Sequence, residues 1–232
     1  MSSAFARAKW TAAAATLAGL TAMLLYPGGT ARNHATIGYE LTGNFLSDLG
    51  MTVAYDGQPN GIGAALFVAS IGLLVVGIGG ALIGFVRLYA STTRGRRFAY
   101  AAAVAGVLDC ACFIGVALTP ENRAMALHVA FTLAAFRILP VAALLITLAA
   151  HATATTPPRI VRAWAALTAV LIAYVVMLQG GAWTATAAGF VAQVIAQKIV
   201  AIVMVSVVVW QSHVATRMMP SPAPFAQSTC PT

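Results

Sequence analysis

Residues 98–119 read FAYAAAVAGVLDCACFIGVALT, twenty-two positions with a single charged side chain, Asp109. A helix crosses the hydrocarbon core of a bilayer with about 20 predominantly apolar residues, so this stretch has the length and composition of a span. Its flanks agree. Arg94-Gly95-Arg96-Arg97 lies just before it and Thr119-Pro120-Glu121-Asn122 just after, the first a basic anchor and the second a turn.

Working outward, five further stretches have the same character: about 8–27, 62–88, 125–150, 160–181 and 187–211. Pro27-Gly28-Gly29 ends the first, Pro157-Pro158 precedes the fifth and Gly180-Gly181 closes it. The whole chain of 232 residues is 60% hydrophobic and 8% charged, with a mean hydropathy of +0.88. A soluble domain of this composition would expose large apolar patches and aggregate. The expected fold is therefore all-α, a polytopic integral membrane helix bundle with six transmembrane helices. Residues 1–217 form this bundle, and 218–232, with Pro220, Pro222 and Pro224, form a disordered tail.

Charge placement orients the spans. Arg7, Lys9, Arg87, Arg94, Arg96, Arg97, Arg159, Arg162 and Arg217 fall on one side, and only Arg32 and Arg123 on the other. The positive-inside rule puts the first group, with both the N and C termini, in the cytoplasm. Glu40, Asp48, Asp56 and Glu121 all lie on the outer side. Trp10, Trp164, Trp183 and Trp210 each sit near an expected boundary, as an aromatic belt requires. The net charge of +8 is thus an anchoring pattern, and no aromatic-interleaved basic groove points to nucleic acid. Arg7, Lys9 and the apolar run Thr11–Tyr26 followed by Gly29-Thr30-Ala31 share features with a signal peptide. The run is longer than such a segment needs, and it reads as a retained first span.

Ionisable groups inside spans cost about 2.5–3.5 kcal/mol each on insertion scales. Three occur: Asp109, Arg137 and Lys198. Counted along their helices, all three lie about 16–18 Å from the outer ends. They are expected to converge as a midplane polar centre, enlarged by Gln193 and Gln197 on one face of the last span. Two cations and one anion would suit an anionic ligand or a protonatable one. An ion pair that only fixes helix register accounts for the same residues. Pro140 is expected to kink the fourth span just beyond Arg137.

The long first loop has a pattern of its own. Ile37, Leu41, Phe45 and Leu49 recur every four positions before Gly50, predicting an amphipathic helix at about 37–49 on the outer surface. Its opposite stripe carries Glu40, Asn44, Ser47 and Asp48. Glu40, Asp48, Glu121 and His128 together offer oxygen and imidazole ligands for a divalent metal. Asp48, Glu121 and His128 are the candidate catalytic acids and bases. A stripe that simply faces water explains the same spacing.

Gly77, Gly80 and Gly84 form a small-residue strip on the second span, suited to close approach by another helix. That helix belongs either to this chain or to a membrane-protein partner. Cys110 and Cys112 point about 200° apart on a helix and do not share a metal. No nucleotide motif, serine elbow, haem-attachment motif or zinc spacing is present, so no motif implies a cofactor.

The run Asn44-Phe45-Leu46-Ser47-Asp48-Leu49-Gly50, with Pro120 leading to His128, and Gly189, Gln197-Lys198 and Trp210 in the last span, resembles a bacterial membrane-protein family catalogued as domain of unknown function 998. The likeness covers roughly residues 10–212. Lys198 stands where the family pattern has arginine, which keeps the charge and loses the fork geometry. The same Ser-Asp-x-Gly element is similar to one in eukaryotic DRAM-type six-span proteins. The resemblance implies a multi-pass protein of the bacterial inner (plasma) membrane and singles out Ser47, Asp48, His128 and Lys198 without naming a reaction.

Three functions fit these residues. The first is binding or moving a small ligand at the midplane centre. The second is a membrane-embedded enzyme acting on lipid or isoprenoid head groups at the outer face. The third is an assembly partner docking through the glycine strip.

Overall fold

The computed structural model describes residues 2–180 and 185–218. Six helices follow the expected spans: α1 Ser2–Leu25, α2 Gly61–Leu88, α3 Thr93–Leu118, α4 Glu121–His151, α5 Pro158–Gln179 and α6 Ala187–Met218. All six are long and apolar enough to cross a membrane, and there is no strand among the described residues. Trp183, Cys230 and the tail beyond Met218 lie outside the described residues.

The helix ends follow local chemistry. Thr92 caps α3, its hydroxyl accepting from the Gly95 amide at 2.9 Å, which satisfies one of the orphan donors of the first turn. Pro158 opens α5, where a missing N–H costs nothing. The chain leaves α1 through Gly29 at φ +79°, where a Cβ would lie 2.5 Å from the Asp56 amide nitrogen. Only glycine combines that dihedral with that approach.

The helices close a ring in chain order: each packs on its successor, and α6 returns to α1. Leu82, Phe85, Leu139, Trp164, Leu171 and Tyr174 fill the interior. Leu24, Val104 and Ile202 stand exposed on the outside. The glycine strip is used within the chain. Gly77 faces Thr11, Gly80 lies against the Ala4 carbonyl, and Gly84 sits on the Phe5 ring. The helix that approaches this strip is α1, so the strip is not an open surface for another protein.

Three expectations change. The first is the amphipathic helix at 37–49, which does not form: only Leu46–Gly50 is helical, as a single 3-10 turn. Its two stripes do not hold as faces either, since Leu49 is buried and Glu40 exposed. Ile37 (95%) and Leu41 (62%) are exposed, whereas Asn44 (0%) and Asp48 (1%) are buried, because their side chains bond the loop to itself while the Asn44 carbonyl accepts from Lys198 of α6. The second is Trp164, which lies in the core with its ring 5.7 Å from that of Phe85 rather than at a boundary. The third is the irregularity in α4, which falls at Ala124 (φ −143°, ψ 48°) and not at Pro140.

Candidate functional site

Residues 26–60 form a plug that descends into one end of the ring. Lys198 lies eleven residues into α6, about 16 Å along the helix, yet its Nζ donates to the Asn44 carbonyl at 2.5 Å. Beside it, Gln197 Oε1 accepts from the Leu46 amide at 2.8 Å. Irregular backbone is tolerated at such depth only when protein surrounds and satisfies it, and this loop meets both conditions. Asn44 Nδ2 donates to the Gly29 carbonyl and to Asp48 Oδ2, and Asn44 Oδ1 accepts from the Glu40 amide. Asp48 Oδ2 also accepts from the Phe45 amide at 3.0 Å, while Oδ1 is buried with no partner. Asn60 secures the far side, donating to the Leu49 and Met51 carbonyls.

Burial pushes the Asp48 carboxyl up to about 7, with Glu121 adding to the rise and Asn44, the Phe45 amide and Lys198 opposing it. Tyr39 is raised above its ordinary range by burial and by Asp48, so its hydroxyl stays a donor. It serves the Asn44 and Phe45 carbonyls at 3.1 Å each, and its ring lies 5.4 Å from Lys198 Nζ.

Beneath the plug is an apolar chamber of about 120 Å³. Leu46 and Ser47 roof it, and Phe67, Cys110, Phe136 and Gln197 are among its walls. Ile78, Leu139 and Met204 form its floor and also line a second, deeper cavity of about 50 Å³, which contains Asp109 and Trp164. The two cavities therefore share an aliphatic wall.

The expected centre of three charges does not assemble. Cys110, Phe136 and Gln197 face the upper chamber, and each charged residue is the chain neighbour of one of them, about 100° round its helix. That step turns Arg137 outward to an exposed position. It points Lys198 at the plug and leaves Asp109 in the lower chamber, buried, with Oδ1 unpartnered. Counted from the observed helix ends at Leu118, Glu121 and Ala187, the three charges lie nine, sixteen and eleven residues in, so the expected common depth is not met either. Gln193 is buried one turn from Gln197, with its Oε1 unpartnered, and lines neither chamber.

No family model, curated protein or solved structure matches this chain.

The outer polar candidates are dispersed rather than gathered. Glu40 is exposed and accepts from Thr42 Oγ1. Glu121 accepts from the Tyr55 hydroxyl at 3.2 Å. His128 Nδ1 lies 2.8 Å from the Thr119 carbonyl; a carbonyl only accepts, so Nδ1 carries the proton and the ring caps the end of α3. Among the described residues no three His, Cys, Asp or Glu side chains come together as a metal site. Asp48 and Glu121 are thus fasteners of the plug, Glu40 is an exposed residue on it, and His128 fastens the end of α3. Ser47 is the one member of the stripe that reaches the chamber.

Two contributors were not expected from sequence. Tyr39 gave no signal. Trp164 gave one: Ile160, Trp164, Leu167, Leu171 and Tyr174, spaced four, three, four and three apart, are the buried face of α5. That spacing marks Trp164 as inward-facing.

Proposed function

We propose that this chain is a six-span integral membrane protein of a bacterial inner membrane, with both termini cytoplasmic, that binds and passes a small lipophilic ligand bearing one polar or protonatable end. The chamber of about 120 Å³ under the plug carries this reading. It is comparable to the engineered apolar cavity of about 150 Å³ that holds benzene, and its walls come from four helices of a ring. The arginine-rich ends support the orientation, and the likeness of Ser47-Asp48-Leu49-Gly50 to the domain of unknown function 998 family supports the location. An anionic head has little to hold it, since Arg137 faces away from the interior and Lys198 is engaged by Asn44.

A lipophilic phenyldiazirine photoprobe, applied to the full chain in liposomes, tests the proposal. Label on Val200, Ala201 or Met204 should saturate. Ala201→Trp, which fills the chamber, should remove the saturable label and leave that on exposed Val104 and Ile202 unchanged. Label confined to the exposed faces in the wild-type protein would overturn the reading.

A further inference from the structure

With the six helices across a bilayer, Arg137 carries its charge at the costliest depth. It stands midway between Arg123 and His151, and the thirteen residues on either side, 124–136 and 138–150, include no Asp, Glu, Lys or Arg. Each side is about 20 Å of helix, so the guanidinium starts near the middle of a hydrocarbon core about 30 Å thick. Snorkelling carries a long side chain only part of the way to either surface. Arg137 is exposed, and among the described residues its guanidinium has neither a hydrogen bond nor an ion pair.

The face around it is apolar. Ala130, Val141 and Leu144 are exposed, and Leu133 and Ala134 are partly buried, all within about 60° of Arg137 around the helix. Positions 130, 133, 137, 141 and 144 follow the spacing of three and four along which a second helix packs. The other side of α4, with Leu139, Ala143 and Ile146, is the one that enters the core.

The charge decides what belongs on this face. A carboxylate matches a guanidinium in charge and, through two parallel hydrogen bonds, in shape. A phospholipid phosphate lies at the membrane surface, about 15 Å from the midplane. A second copy of this chain has no acid to offer, because Asp109 is the one carboxyl in the interior of a span and it is buried at 2% exposure in its own ring. Self-complementary pairing on this face would also turn two arginines toward each other.

We infer that this face of α4 is a docking surface within the membrane for a transmembrane helix of another protein, one with an aspartate or glutamate near the middle of its span. The carboxylate seats on Arg137, and the pairing relieves both helices of an uncompensated charge in hydrocarbon. The inference rests on the six-span reading and is independent of the chamber.

The test mixes the full chain in phosphatidylcholine liposomes with synthetic Leu/Ala transmembrane peptides of about 22 residues, bearing Asp, Leu or Lys at the centre. Energy transfer to an acceptor on the peptide reports association. The donor sits on Ser91→Cys, in a chain whose native cysteines are replaced by alanine; the adjacent Thr92 donates to the Ala152 carbonyl at the end of α4. The Asp peptide should reach half-maximal transfer at a peptide-to-lipid ratio at least about fivefold below that of the Leu peptide. Arg137→Leu should erase that advantage, and Arg137→Glu should hand it to the Lys peptide. Circular dichroism checks that both variants are folded. Equal transfer to the Asp and Leu peptides overturns the inference, as does an Asp preference that persists in Arg137→Leu. A preference lost when phosphatidylglycerol is added overturns it in favour of an anionic lipid. Transfer between labelled copies of the chain itself, lost in Arg137→Leu, overturns it in favour of self-association. Saturable lipophile label on Met204 should be the same in wild type and Arg137→Leu, so the chamber stands or falls separately.

Discussion

Lys198 in the middle of α6 ends on the backbone of Asn44 in the first loop, Nζ to carbonyl oxygen 2.5 Å. The bond ties a helix interior to an irregular segment more than 150 residues away in sequence, and so fixes how deep the plug sits. A hydrogen bond to a charged group contributes about 1.5–3 kcal/mol. Lys198→Met should therefore raise hydrogen exchange across residues 39–48 by roughly tenfold or more while α3 to α5 stay protected. Unchanged exchange in that segment would mean the bond does not hold the plug.

Asp48 makes the plug sensitive to pH in a defined direction. Its carboxyl is pushed from an ordinary 3.8 up to about 7, so the folded plug holds its proton more tightly than the unfolded chain does. Between about pH 4 and pH 7 the folded state binds more protons, and stability falls as pH rises through that window, levelling off above it. The charged groups that act on this carboxyl are Glu121 from α4 and Lys198 from α6. Thermal melts of the purified protein from pH 4 to pH 8 should decline across the window, and Asp48→Asn should flatten the profile. A wild-type profile that rises with pH would contradict the buried, protonated carboxyl.

Orientation is open to direct measurement. Thr42, in the plug, and Ser91, between α2 and α3, are both exposed. With the native cysteines replaced by alanine, a membrane-impermeant maleimide added to intact cells should label Thr42→Cys and spare Ser91→Cys until the membrane is broken. Reversed labelling would invert the topology.

The six helices were legible because each apolar run is long and its breaks carry proline, glycine or arginine, signals that depend only on local sequence. The plug was not. Ile37, Leu41, Phe45 and Leu49 have helical spacing, but what decides their conformation is the set of partners Asn44 and Asp48 find in Gly29, Phe45 and Lys198, and long-range satisfaction of that kind leaves no periodic trace. The charged residues show the same limit from another side. Helix counting depended on boundaries the sequence leaves loose, and only packing fixed which way Asp109, Arg137 and Lys198 turn. Trp164 was readable from the inward spacing of α5 and was misassigned because tryptophan near a helix end also suits a boundary.

Asp109 is a buried carboxyl with an unpartnered oxygen inside the ring, and its removal should show the cost. The carboxyl is buried among Leu82, Leu139 and Leu167 with no cation beside it, so an apolar residue of similar volume avoids the desolvation penalty. Asp109→Leu should raise the thermal midpoint of the ligand-free protein. A fall in that midpoint would show that the buried carboxyl stabilises the fold rather than costing it.

The glycine strip separates packing from mere apolarity. Gly84 lies against the Phe5 ring, and Gly79, five positions earlier on the same helix, has nothing within 4 Å of where a Cβ would stand. Leucine at either site adds the same hydrophobic surface, so the two variants differ only in what the new side chain meets. Gly84→Leu drives α1 and α2 apart and should cost about 1–3 kcal/mol or more, seen as a lower midpoint and early proteolysis of α1. Gly79→Leu should stay within about 0.5 kcal/mol of the parent. Equal damage from both would mean that α2 tolerates no added bulk on its outer face either, and that this face is covered in the working protein.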